Sequence, residues 1–152
     1  MDIQIPSLSE YEQINTLAKQ VHDLHVGWRP DIYNKTDFPL PREYFAGLIE
    51  NSNIAVAKID GDIVGYIVFS DKKNNPDIMV NEKAIVCEAL AVDEKHRRQG
   101  IGKALISHMI DMAKRRGCTL LQLSVNEENK NAIKMYEDLG MRVKGISYSM
   151  KI

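Results

Sequence analysis

Cysteine, aromatic residues and long apolar runs are all scarce in this chain of 152 residues. Its two cysteines, Cys87 and Cys118, sit inside apolar segments, and neither belongs to a CxxC or CxxH spacing. That leaves both a disulfide framework and a zinc site without support, so two quiet thiols in a reducing compartment is the reading. The longest apolar stretch, Ile63 to Phe69, falls far short of the ~20 residues a membrane helix needs. The opening Met1-Asp2-Ile3-Gln4-Ile5-Pro6 has neither a basic nor an apolar leader region, so no signal peptide is expected and the expected location is the cytoplasm. Repeats, low-complexity tracts and Gly/Ser linkers are also missing. The expectation is a single domain over residues 1–152.

What is present is an ordinary globular composition, 44% hydrophobic and 27% charged. A chain of this size buries roughly 70% of its unfolded surface, enough for one core. The net charge of −1 hides an uneven distribution. Residues 1–94 carry 8 positive and 16 negative side chains, whereas residues 95–152 carry 12 positive and 5 negative. Between Lys95 and Arg116, seven basic residues face Asp111 alone. Such asymmetry suits a chain that handles an anion at one end, although a solvated helix face is the commoner reason for a charge run.

Periodicity and punctuation outline the elements. Ser7 or Ser9 caps a first helix whose apolar stripe is Leu8, Tyr11, Ile14, Leu17, Ala18, Val21 and Leu24. An irregular stretch from Gly27 to Pro41 follows, and Pro41 starts a short helix ending near Asn51. Ile54–Ile59 and Ile63–Phe69 read as strands joined by a hairpin at Asp60-Gly61, with a polar loop from Ser70 to Glu82 after them. Ala84–Val92 is apolar on both faces except at Glu88, which predicts an interior strand. Gly100–Arg116 is a helix capped by Gly117, Thr119–Val125 a strand, Asn129–Leu139 a helix stopped by Gly140, and Met141–Ile152 one or two closing strands. The order predicts a mixed α/β fold with a parallel pair where helices cross over.

The stretch that carries chemistry runs from Ala89 to Leu105. A buried strand enters a basic, glycine-containing turn, Arg97-Arg98-Gln99-Gly100-Ile101-Gly102-Lys103, that opens a helix. The first amides of a helix lack internal partners and sit at its positive dipole end, so this turn is a phosphate cradle in outline. A Walker A loop would need Gly at Arg97 and Ser or Thr at Ala104, and a dinucleotide fingerprint a small residue at Leu105. Both fail.

These residues resemble the GNAT superfamily of acyl-CoA-dependent N-acetyltransferases. Arg97-Arg98-Gln99-Gly100-Ile101-Gly102 is similar to its Arg/Gln-x-x-Gly-x-Gly/Ala signature, and Asn129, Ala132 and Tyr136 before Leu139-Gly140 are similar to a second family element, with Met141 where Phe is usual. The resemblance covers residues 54–147 well and implies the GNAT fold: an α/β domain with a mixed, mostly antiparallel sheet, a central parallel pair and flanking helices. It further implies acetyl-CoA as cosubstrate and no metal. Strand Leu90-Ala91-Val92 would pair with the pantetheine arm through main-chain groups of Leu90 and Val92. Amides from Arg97 to Lys103 would hold the pyrophosphate, Asn129 would contact the pantetheine, and Tyr136 would protonate the leaving thiolate. A homodimer is the assembly the resemblance suggests.

The remaining roles rest on the residues themselves. Glu88, a carboxylate in an apolar strand, is either the general base, directly or through water, or the partner of an arginine or of solvent. Without the resemblance, the helical spacing of Tyr136 would make it a core residue. His22 and His25 form His-x-x-His without a third ligand, which is weak support for a metal. His96 contacts phosphate or solvent, and Trp28-Arg29-Pro30-Asp31 lines an acceptor pocket or packs a loop. The function expected is transfer of an acetyl group to a primary amine on a small molecule, peptide or protein, with a non-catalytic acyl-CoA-binding module as the alternative. Nucleic acid is ranked last, because few aromatics interleave the basic residues, and no membrane partner is expected.

Overall fold

A computed structural model describes all residues, Met1 to Ile152. Strand β1 spans Asp2–Gln4, helix α1 Tyr11–Trp28, helix α2 Arg42–Glu50, and strands β2, β3 and β4 Ile54–Ile59, Asp62–Lys73 and Lys83–Val92. Helix α3 (Ile101–Arg115), strand β5 (Leu120–Leu123) and helix α4 (Lys130–Asp138) complete the regular structure. The strands lie in chain order in one sheet, antiparallel except for the parallel pair β4–β5. This is the expected mixed sheet with its one parallel pair. No helix is long and apolar enough to cross a membrane.

The sheet separates two cores. On one face Ile14 and Leu17 of α1 and Phe45 and Leu48 of α2 meet Val56, Tyr66 and Val68. On the other, Ile101, Leu105 and Met109 of α3 cover Ile67, Phe69, Ile85 and Cys87. The amphipathic stripe read for α1 is right in its middle and wrong at its ends, where Leu8 and Leu24 are exposed. Asn15, the one buried polar side chain, donates to the Asp37 carbonyl at 2.9 Å. Beside it the Tyr11 hydroxyl donates to the Leu40 carbonyl at 2.6 Å, so the irregular loop after α1 is fastened to that helix.

The Asp60-Gly61 hairpin forms as expected, with φ of +52° and +92° at its two central residues, the pattern of a type I′ turn. Four expectations change. β1 has too few residues to show a period, and it pairs with β2 from a segment read only as non-leader. β3 and β4 extend to Lys73 and Lys83, shortening the predicted loop. β5 ends at Leu123 rather than Val125, because β4 has no β5 partner beyond Cys87. The closing strands predicted over Met141–Ile152 do not form, and the last backbone hydrogen bond of the chain is donated by Met141 to the Tyr136 carbonyl.

Gly65 fixes how closely α3 lies on the sheet. A Cβ there would stand 2.9 Å from the Ala91 carbonyl oxygen and 3.1–3.2 Å from methyl carbons of Ile101 and Leu105. At the opposite end of α3, Arg116 is a hub. Its guanidinium donates to Asn53 Oδ1 (2.8 Å), Asp71 Oδ1 (2.9 Å) and the Ser52 carbonyl (2.8 Å), and it lies 5.2 Å from the Phe69 ring centre. Partial burial works against ionisation of Asp71, but hydrogen bonds from Lys83 and Arg116 hold its carboxyl below the usual range. That stabilisation is complete above the ordinary aspartate pKa and is lost as pH falls through the depressed one. Arg116→Ala is expected to cost about 2 kcal/mol, or roughly 4–8 °C in Tm, with the deficit shrinking in acid. Thermal denaturation at neutral pH and near pH 3 checks this, and an unchanged neutral Tm would refute it.

Candidate active site

Strand β4 organises the site through one irregularity. In its pairing with β3, Val68 faces Ala89 and Phe69 faces Cys87, which leaves Glu88 as an extra residue. This β-bulge re-aims the side chain and flips the alternation. Cys87 therefore points into the α3 core, whereas Ala89 and Ala91 pack toward α1 and α2. Of the alternatives for Glu88, the structure shows contact with solvent and no arginine partner. The side chain is exposed, and its Oε1 accepts a 2.5 Å hydrogen bond from the Ser70 hydroxyl.

Past the bulge β4 and β5 separate, since their pairing stops at Cys87–Leu123. The Asp93 amide donates to the Val64 carbonyl on the β3 side, so by strand alternation the peptide groups of Leu90 and Val92 face the gap. Arg97 Nε donates to the Val92 carbonyl at 3.3 Å, consistent with that orientation. Ala91, whose peptide faces β3, is buried.

The gap leads directly to the basic turn. No backbone amide from Arg97 through Lys103 has an acceptor within the protein, and the first intrahelical bond of α3 runs from the Ala104 amide to the Gly100 carbonyl. Arg98 and Gly100 take left-handed φ values of +66° and +82°, folding successive amides into a nest, a geometry suited to anions, at the start of α3. Gln99 lies exposed between them. Gly102 has a different reason: a Cβ there would meet Met135 Sδ at 3.2 Å, so its absence lets α4 approach α3. His96 turns away from the nest, with Nδ1 2.6 Å from Asp93 Oδ2. Gln20 of α1 also donates to Asp93 (3.0 Å) and accepts from the Glu94 amide (3.1 Å), which anchors the turn.

A cavity of about 700 Å³ opens where β4 and β5 part. Its walls include Glu88, Leu90, Asn129 and Tyr136, together with His22, His25, Tyr33 and Tyr44 from the opposite side of the sheet. Glu88 is its one carboxylate, and no lysine or arginine lines it. The Tyr136 phenol is pushed up to about 12 by burial, with a smaller contribution from Cys87, and so keeps its proton at neutral pH. Burial also pushes the Cys87 thiol up to about 12, aided by Glu88, which leaves it a poor nucleophile. Burial, then the Glu88 charge, raises the Tyr44 phenol.

Three readings shift. Asn129 spends its Oδ1 on capping α4, accepting from the Ala132 amide at 3.2 Å, while it borders the cavity. His22 and His25 are cavity walls: His22 Nε2 lies 2.7 Å from the Asn34 carbonyl and His25 stacks on Tyr33 at 5.3 Å. The Trp28–Asp31 stretch stays off the cavity, Trp28 against His25 and Arg29 paired with Asp31. Ser70, Tyr33 and Tyr44 were missed, because their relation to Glu88 and the cavity depends on the bulge and the packed loop.

The profile of the Acetyltransferase (GNAT) family matches residues 18–141. A ribosomal protein bS18-alanine N-acetyltransferase of Escherichia coli (strain K12) is 47% identical over 51 residues, 34% of each chain, so the matched segment spans about a third of that relative's length. A 5-NmdU N-acetyltransferase of Pseudomonas phage PaMx11 is 28% identical over 138 residues, 91% of this chain and 84% of its own. Among solved structures, a mutant of the BH1408 protein from Bacillus halodurans superposes with a TM-score of 0.91 at 26% identity, covering 100% of this chain and 99% of its own.

Proposed function

The chain belongs to the acetyltransferase (GNAT) family, and from that premise we propose that it moves an acetyl group from acetyl-CoA to a primary amine by direct attack. One observation carries the reading. The unpartnered amides of Arg97–Lys103, the open edge at Leu90 and Val92, and a cavity whose one charged wall is a carboxylate form a continuous track. A pyrophosphate suits the first, an extended amide-bearing arm the second, and a cationic amine the third.

The residues divide the work as follows. Lysine-like amines have a pKa of about 10.4 and must lose a proton before attack. Glu88, held by Ser70, takes that proton directly or through a water. The amine nitrogen bonds to the thioester carbon, and the backbone N–H of Leu90 stabilises the oxyanion. As the carbon–sulfur bond breaks, Tyr136, which keeps its proton, supplies it to the thiolate. The high thiol pKa of Cys87 supports direct transfer over an acyl-cysteine. The relatives' names support a nitrogen acceptor, since they specify N-acetylation of a ribosomal protein alanine and of 5-NmdU.

Calorimetry tests the donor site. Acetyl-CoA and CoA are expected to bind one to one, and a concentration of 100 Kd to add about 2.7 kcal/mol of stability. Arg98→Glu combined with Lys103→Glu, two exposed side chains, should weaken binding at least about tenfold by removing phosphate-pairing charge. No binding at millimolar ligand would sink the reading. With binding established, release of free thiol across a panel of amines tests turnover.

A further inference from the structure

The cavity holds a polar group that the acetyl-transfer chemistry leaves idle. Tyr66 of β3 is only 5% exposed, and it borders the cavity from the side of the sheet that α1 and α2 cover. Its hydroxyl makes no hydrogen bond to the protein. No fully buried side-chain oxygen lacks a partner, so this one keeps open surface, and the opening beside it is the cavity. Burial pushes the phenol well above the ordinary tyrosine range, so it keeps its proton and donates as well as accepts. A few such polar groups in an apolar cavity are what fix the orientation of a small ligand.

Charge and wall chemistry narrow the ligand. Glu88 is the one carboxylate of the cavity, and Tyr66 sits opposite Ala91, three residues further along β4, so the two anchors are separated along the strand. No lysine or arginine lines the cavity, so a carboxylate on the acceptor would meet Glu88 without a counter-charge. A second ammonium would have no acid to face. The α1-side wall is aromatic: the His25 and Tyr33 rings stack with centres 5.3 Å apart, and His22 meets Tyr33 edge-on at 6.1 Å. Burial, and then the nearby His22, push the His25 imidazole down, so that ring is uncharged at neutral pH.

We infer that the acceptor is a small aromatic monoamine with a hydrogen-bonding group on its ring, and that Tyr66 selects it. The ammonium faces Glu88, the ring lies against the aromatic wall, and the ring substituent pairs with the Tyr66 hydroxyl. An amine without that substituent leaves the hydroxyl unpaired once water is expelled, and a site built to pair a hydroxyl discriminates against the analogue that lacks it. The inference rests on the acetyl transfer proposed above and names the class of amine within it.

Four amines test it: tyramine, 2-phenylethylamine, which lacks the ring hydroxyl, tyrosine, which adds a carboxylate, and spermidine, which adds cations. Initial rates of thiol release give kcat/KM, and calorimetry with CoA present gives affinity without turnover. Tyramine is expected to exceed 2-phenylethylamine at least about tenfold in kcat/KM, and tyrosine and spermidine at least about 100-fold. Tyr66→Phe keeps the ring and should shrink the preference for tyramine over 2-phenylethylamine to within about twofold, at unchanged Tm. Equal use of those two amines by the unaltered protein overturns the inference, as does a preference that survives Tyr66→Phe. Failure of tyramine to bind overturns it too. Turnover of spermidine or tyrosine ahead of tyramine overturns the inference and leaves acetyl transfer standing. Tyramine that binds with the expected preference but releases no thiol overturns the transfer reading instead, and the selectivity stands as affinity. The wild-type comparison needs no variant, so it decides the matter even where Tyr66→Phe fails to fold.

Discussion

Tyr136→Phe is expected to lower kcat by about 10²–10³-fold while acetyl-CoA affinity stays within about threefold. The phenol ring is half-buried against the α3 core, and phenylalanine preserves that packing. What it removes is the hydroxyl of a cavity-lining residue, which makes no hydrogen bond to the protein. Protonation of a leaving thiolate occurs only as the carbon–sulfur bond breaks, so losing the donor should appear in kcat rather than in KM. Because burial pushes the phenol up to about 12, the high-pH fall in wild-type activity should lie well above the ordinary tyrosine range. Steady-state kinetics with a reactive amine, paired with calorimetry, reads both quantities. Full activity in the phenylalanine variant would remove Tyr136 from the chemistry and return it to the core role its helical spacing allows.

Gly65→Val should be the most damaging substitution for stability, costing about 3 kcal/mol or more. The obstacle is main chain: a Cβ at Gly65 lies 2.9 Å from the Ala91 carbonyl oxygen, and no rotamer change relieves that contact. Added methyl groups would also push on Ile101 and Leu105, the first turns of α3. That helix carries the amide nest at its start, so lifting it off the sheet displaces the nest from Val92. Chemical denaturation measures the first effect, with a lower midpoint at unchanged slope. Weakened acetyl-CoA binding in whatever fraction remains folded measures the second. A valine variant with wild-type stability would mean that β3 and β4 yield at this point far more easily than a hydrogen-bonded ladder does.

The basic turn at the start of α3 was legible because its backbone imposes local rules. An amide nest requires backbone that can turn left-handed, hence Gly100, and a helix start, hence the apolar period that begins at Ile101. The hairpin at Asp60-Gly61 was legible for the same reason. The Glu88 side of the cavity follows no local rule. Glu88 looked like a charge inside an apolar strand because Cys87, Ala89, Leu90 and Ala91 are all tolerated on either face, so the bulge leaves no break in the pattern. The partnership of Ser70 with Glu88 depends on that bulge, and the tethering of the loop by Tyr11 and Asn15 depends on tertiary contacts. The closing segment is the converse case. Its alternation is plain in the sequence, but no strand pairs with it.

The irregularity at Glu88 bears on how such a site arises. On either side of it, Phe69–Cys87 and Val68–Ala89 are adjacent pairs of an otherwise continuous ladder. Excising that one codon would join two stretches that are already in phase, with Cys87 and Ala89 keeping their present faces. Glu88 is in this sense an insertion of a single residue into a plain sheet, and it is separable from the architecture around it. A protein lineage could gain or shed this carboxylate in one step, leaving the helices, both cores and the basic turn before α3 in place.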